Sequence, residues 1–293
     1  MCIMASATLP ESASIDARRF RWGNLALHAL VIVICAFTIF PFLWMLSTAF
    51  KPSDEVFTKD LRLIANNPTW RNFPDAFDYF PVAHWFWNST GIAVLTTAGK
   101  LAISLPAAFA FARLRFRGDK FFFAMVLATM IVPGIVTVVP NYILVSNLNW
   151  MNTWAGVIIP SLPGTAFYVF LLRQNILQLP QDLIDAARID GASTFKLLVQ
   201  IVTPNVKPAI AVVTILSFLG AWNQYLWPLL ILNDFESKTL ATGMQFFTGN
   251  AESAQMWGPM MATATIATLP PLILYVLAQR QIVDTFVTSG MKG

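Results

Sequence analysis

The chain has 293 residues, 56% of them hydrophobic and only 12% charged, with a formal net charge of +4. That charged share is about half the share usual in a soluble domain, and so much apolar surface does not fit inside one water-surrounded core. Disorder and a disulfide scaffold are excluded too, since Cys2 and Cys35 are the only cysteines, and the 19 Lys and Arg form no stripe for nucleic acid.

A hydrocarbon core about 30 Å thick needs roughly 20 mostly apolar helical residues. Six stretches meet that length, which predicts an all-α integral membrane protein with six transmembrane helices. The first, Leu25–Phe50, follows Arg18, Arg19 and Arg21, as a signal peptide would. Its apolar run is too long for one, and no Ala-x-Ala-like site closes it before Lys51, so it reads as a retained span. Residues 1–24 are a tail whose Ala- and Ser-rich part before Arg18 is expected to be disordered. In the long connection 51–88, Trp70, Trp85 and Trp87 are expected to anchor at the membrane interface. The remaining spans are Ser89–Ala112, Phe121–Val145, Trp154–Leu177, Ala209–Leu232 and Ala262–Ala278, so the permeating body covers 25–280 and a second tail covers 281–293. With the N-terminus inside, the inner segments hold 13 Lys and Arg and the outer segments five, while Lys100 lies within the second span. The bias predicts that both termini are cytoplasmic.

One inner connection, within 178–208, is long and patterned. Leu179-Pro180-Gln181-Asp182 starts a helix, with Pro180 at its first turn and Asp182 near its positive end. Leu183 to Asp190 is short and amphipathic, and Gly191 can close it in the left-handed conformation. Ser193 then caps a second helix, Thr194–Val202, expected to end at Pro204 and Pro208. The small side chains of Ala186 and Ala187 permit close approach to a partner's groove, although an elbow lying on lipid headgroups has the same pattern.

Asp185-Ala186-Ala187-Arg188-Ile189-Asp190-Gly191-Ala192-Ser193, with Ile201-Val202-Thr203-Pro204 downstream, resembles the EAA loop of ABC-importer permeases. Asp185 stands where that family usually has Glu and keeps the charge. The segments Pro41–Thr48, Phe111–Gly118 and Gln279–Gly293 are similar to the carbohydrate-uptake branch, and within it to the maltose-type second permease. The tail departs from the commoner pattern at Thr285, Phe286 and Val287. Ala221–Leu230 and Ala98–Ser104 are most similar to second permeases of glycerol-3-phosphate importers. The resemblance implies a type I importer permease whose cytoplasmic coupling helix docks in an ATPase subunit. Asp185, Ala186, Ala187, Arg188, Asp190, Gly191 and Pro204 would then belong to the coupling loop. It also implies a second permease as heterodimer partner, an ATPase dimer that binds ATP and Mg²⁺, a solute-binding protein, and a bacterial inner membrane.

The rest of the sequence is consistent with a conduit without catalysis of its own. No phosphate-binding loop is present, no cofactor motif occurs, and the histidines are His28 and His84 alone. No acidic residue falls in any span, which argues against the carboxylate relays of secondary transporters, and no inverted repeat is visible. Lys100 near mid-membrane admits two readings, a lysine capping carbonyls at a subunit interface or a cation on the translocation path favouring a phosphorylated substrate. In the fifth span, Pro228 cannot donate the hydrogen bond that the Gln224 carbonyl would accept, which predicts a kinked helix. Asn223 and Gln224, with Trp222, Tyr225 and Trp227, suit a polyol or sugar, and Asn141 is a further candidate of that kind. A neutral oligosaccharide is the rival substrate, with Lys100 then structural.

Overall fold

The computed structural model describes residues 22–58, 62–249 and 254–290. The segment before Arg18, expected to be disordered, lies outside the described residues. The chain divides into Met1–Trp44 and Met45–Gly293. The first unit contributes most of helix α1, Trp22–Ala49, which carries no acidic or basic residue other than His28. An apolar run of that kind has a low cost of insertion only as a helix, where every backbone group is bonded within the segment.

The second unit begins with the last residues of α1 and the connection that follows. Asn72 opens helix α2, Asn72–Tyr79, and its buried amide donates to the carbonyls of Ala49 (2.9 Å) and Lys51 (2.7 Å). The unit is organised around α3, Val82–Arg113, which at 1.5 Å per residue is about 48 Å long. Ser89, Ile92, Ala93, Thr96, Ser104 and Ala108 are buried along it at helical spacing. The second span therefore starts seven residues earlier than hydropathy suggests, and Trp85 is inside it. Trp70 and Trp87 are exposed, as interface anchors should be, but Trp85 is fully buried and donates its indole N–H to the Phe235 carbonyl at 2.9 Å.

Three apolar stretches expected as single helices are broken. The third is α4, Asp119–Ala128, and α5, Val138–Asn147, with a 91° bend near Pro133. The fourth is α6, Trp154–Ser161, and α7, Ala166–Leu177, bent by 52°. After α8, Gln181–Ile189, and α9, Thr194–Asn205, an 84° bend at Val206 leads into α10, Lys207–Trp222. The fifth span stops there, and α11, Leu226–Ile231, is a separate short helix. Pro228 falls in its first turn, where an amide would have no intrahelical acceptor, so this proline does not kink a continuous helix. After α12, Leu240–Gly243, the last helix α13 runs over Trp257–Gly290 with Trp257–Gln279 as its apolar part, well into the expected tail 281–293.

Both α7 and α10 pack on α3, and α10 packs also on α13. One core cluster joins Ala108 and Phe109 to Leu172, Ile176, Ile184, Leu197 and Val213 at the end of α3 that carries Arg113. At the opposite end, the backbone N–H of Leu240 donates to Ser89 Oγ at 2.7 Å, and the Asn88 amide donates to the carbonyls of Glu236 (2.8 Å) and Lys238 (3.0 Å). The long central helix is held at both ends.

Candidate functional site

Helix α8 starts at Pro180, whose extended backbone leads into a first turn carrying Asp182. Its inward residue is Ile184, which is fully buried in the cluster with Leu172, Ile176 and Leu197. The opposite side is open: Asp185, Ala186, Arg188 and Asp190 are exposed, and Ile189 is 86% exposed. Asp185 accepts from the Gln181 amide at 3.0 Å and lies 4.0 Å from the Arg188 guanidinium. An exposed pair of that kind adds little stability, so these charges remain available to a partner surface.

Gly191 ends the helix at φ +79°, the left-handed conformation, and a Cβ there would meet nothing within 4 Å. Glycine is required by the backbone angle alone. The Ala192 N–H returns to the Ala187 carbonyl at 2.9 Å, and Ser193 caps α9 by accepting from the Lys196 N–H at 3.3 Å. Pro204 does not end α9 as expected. Leu197–Val202 forms a π-helical turn, the Thr203 hydroxyl donates to the Leu198 carbonyl five residues back, and the wider turn accommodates the proline before the break at Val206.

Arg113 fixes the base of α8, and Arg173 ties α7 to α3 and α4 beside it. Arg113, the last residue of α3, donates from Nη2 to the Ile176 carbonyl at 2.7 Å and to the Leu179 carbonyl, and from Nη1 to Gln181 Oε1 at 2.6 Å. Arg173 donates from Nε to the Phe111 carbonyl at 3.1 Å and stacks over Phe123 at 4.2 Å. The sequence motif includes Arg113, but nothing in its spacing reveals that it reaches main-chain carbonyls more than sixty residues away.

The mid-membrane candidates divide between packing and open surface. Lys100 is half-buried on α3, with Nζ 5.6 Å from the centroid of the Tyr168 ring on α7. No Asp or Glu occurs in α3, α7 or α10, and the Tyr168 π face is a favourable partner for this ammonium. Trp222 is buried, stacked on Phe218 at 5.7 Å, and donates to the Ala267 carbonyl at 3.2 Å. Trp227 is buried in a different cluster with Ile92, Val145 and Val157. The expected aromatic lining is thus split, and both indoles serve the core. Between them the chain is non-helical: Asn223 and Tyr225 are exposed, Gln224 is half-buried, and the Tyr225 hydroxyl donates to Gln245 Oε1 at 3.4 Å. Asn141 is half-buried on α5.

Comparison with known proteins gives this arrangement its context. A family model described as "Binding-protein-dependent transport system inner membrane component" matches residues 100–286, which include Lys100, both arginines, α8 and the fifth span. The chain is 31% identical over 274 residues to the sn-glycerol-3-phosphate transport system permease protein UgpE of Brucella melitensis, covering 91% of this chain and 97% of that protein. It is 32% identical over 268 residues to the UgpE of Pectobacterium atrosepticum, with 89% and 95% covered. A bacterial ABC transporter for import of the acidic polysaccharide alginate has the same fold, with a TM-score of 0.81 at 20% identity over 92% of this chain and 99% of that one. A bacterial alginate ABC transporter in complex with an alginate-pentasaccharide-bound periplasmic protein matches with a TM-score of 0.60 at 16% identity, over 87% and 92%. With more than half its length matched, the chain belongs to the binding-protein-dependent inner-membrane component family and is a multi-pass permease subunit of an ABC importer, a transport subunit and not an enzyme.

Proposed function

We propose that this permease imports glycerol-3-phosphate or a related glycerophosphodiester. In this reading it pairs with a second permease, and an ATPase dimer that binds ATP and Mg²⁺ docks on α8. An extracytoplasmic binding protein delivers the solute at the opposite end, and both termini face the cytoplasm. One observation carries the coupling role: α8 is anchored on one side through Ile184 and the carbonyls that Arg113 holds, and bare on the other through Asp185, Ala186, Arg188 and Ile189. A rigid helix with an unused face is suited to receiving a push and passing it into α3.

The solute class is supported by the names of the relatives and by Lys100. A phosphate monoester carries about −1.5 to −2 charge near neutral pH, and a cation on its path offsets part of the cost of desolvating it. Asn223, Gln224 and Tyr225 offer amide and hydroxyl groups for the glycerol hydroxyls. Lys100→Met keeps an unbranched apolar stem one atom shorter and removes the charge. In proteoliposomes holding the whole complex, glycerol-3-phosphate uptake should fall about tenfold, the equivalent of about 1.4 kcal/mol of barrier stabilisation, while complex yield is unchanged. Uptake at the parent rate would remove Lys100 from the path.

A further inference from the structure

The turn joining α3 to α4 builds an apolar groove lined by neither α8 nor the mid-membrane polar groups. Phe122, Met125, Val126 and Thr129 recur at the spacing of one helix face, and Phe111 and Phe116 line the other side of a shallow, open groove of about 470 Å³. From Phe122 to Thr129 the groove extends about 10 Å along the helix axis. Thr129 is its one polar lining residue, and its hydroxyl donates to the Val126 carbonyl at 2.7 Å. The walls are held in place: Phe111 packs on Phe116 at 5.8 Å and on Phe123 at 5.4 Å. At Gly118, φ is +85° and a Cβ would stand 3.2 Å from Phe122, so glycine lets the turn fold back over that ring.

The flanking chain has the opposite character. Arg115 and Arg117 flank the lining residue Phe116 in the chain and Lys120 precedes Phe122; all three are exposed, and no ion pair engages them among the described residues. Asp119, the acidic residue among them, accepts the Lys120 backbone N–H at 2.7 Å. The apolar part of α3 ends at Arg113 and that of α4 begins after Lys120, so the three cations lie in the short polar connection between two apolar runs, where basic residues suit a headgroup region. We propose that the crevice is a binding site for an anionic phospholipid, with one acyl chain between Phe111 and Val126 and the phosphate held by Arg115, Arg117 and Lys120. An apolar groove alone would accept any acyl chain or a hydrophobic helix. Three cations next to its lining in the chain complement a negative headgroup, and guanidinium forks match phosphate oxygens in pairs.

The test uses the assembled importer, purified with its partner subunits and equilibrated with equimolar phosphatidylglycerol and phosphatidylethanolamine before native mass spectrometry. The parent should retain phosphatidylglycerol in preference. The combined variant Arg115→Gln, Arg117→Gln, Lys120→Gln should hold it roughly a hundredfold more weakly, about 3 kcal/mol at about 1 kcal/mol per basic side chain. Val126→Trp, which fills the crevice, should lose it while the three cations remain. The charge variant changes only exposed side chains, so it decides the matter even if the tryptophan variant fails to assemble. Equal retention of both lipids, or unchanged retention by the charge variant, overturns the proposal. So does efficient cross-linking of Met125→Cys to the second permease, which would make the crevice a subunit contact.

Discussion

Gly191 sits in open space at a backbone angle that other residues avoid, so substitution acts through conformation and not through a clash. Gly191→Leu should cost about 1–2 kcal/mol locally and misdirect the end of α8. Transport should be lost while the protein stays in the membrane, and normal uptake with ATPase co-purification would refute that. The residues of the fifth span separate by burial. Asn223→Ala removes an exposed amide and should lower solute-stimulated ATP turnover with the complex intact. Trp227→Ala opens a hole among Ile92, Val145 and Val157 and should cost about 3–5 kcal/mol, seen as a lower melting temperature and poor assembly. Sequence pattern put the two tryptophans in one cluster with the amides because they are neighbours along the chain. It could not register that the helix stops at Trp222, so that the indoles enter different cores.

Among the elements, α8 was the most legible, because a proline start, a buried apolar position and a glycine stop all agree over 180–191, whereas the expected pair of small residues divides, Ala186 exposed and Ala187 packed on the core. The broken spans were not legible from hydropathy, which measures carbon content and is blind to helix continuity. The third and fourth apolar runs carry Pro133-Gly134 and Pro163-Gly164 at their breaks, a turn signal present in the sequence but outweighed by the apolar residues around it. The tie between α3 and α8 has its own test. Arg113→Met keeps the stem and removes the donors that hold the Ile176 and Leu179 carbonyls. The ATPase should still bind, since the exposed face of α8 is untouched, yet transport per ATP hydrolysed should drop about tenfold or more for about 1.5–3 kcal/mol of lost charged hydrogen bonding. Unchanged coupling would show that packing of Ile184 alone suffices.

For the whole molecule, α3 is a rod fastened at opposite ends, by Trp85, Asn88 and Ser89 at one and by Arg113 at the other. Gly243 on α12 lies so close that an added Cβ would stand 2.3 Å from the Trp85 indole. Gly243→Ala should therefore loosen the end remote from α8, lowering the melting temperature of the complex while leaving ATPase docking unaffected. A melting temperature equal to the parent's would mean that this end is not a fixed point. The fastening at Arg113 has a different consequence, one for descent and not for motion. Its acceptors at 176, 177 and 179 are main-chain carbonyls, which every amino acid supplies alike. Of the residues Arg113 holds, only Gln181 is bound through its side chain, so the outer face of the helix beyond it can be rewritten to follow a diverging ATPase without disturbing the anchor.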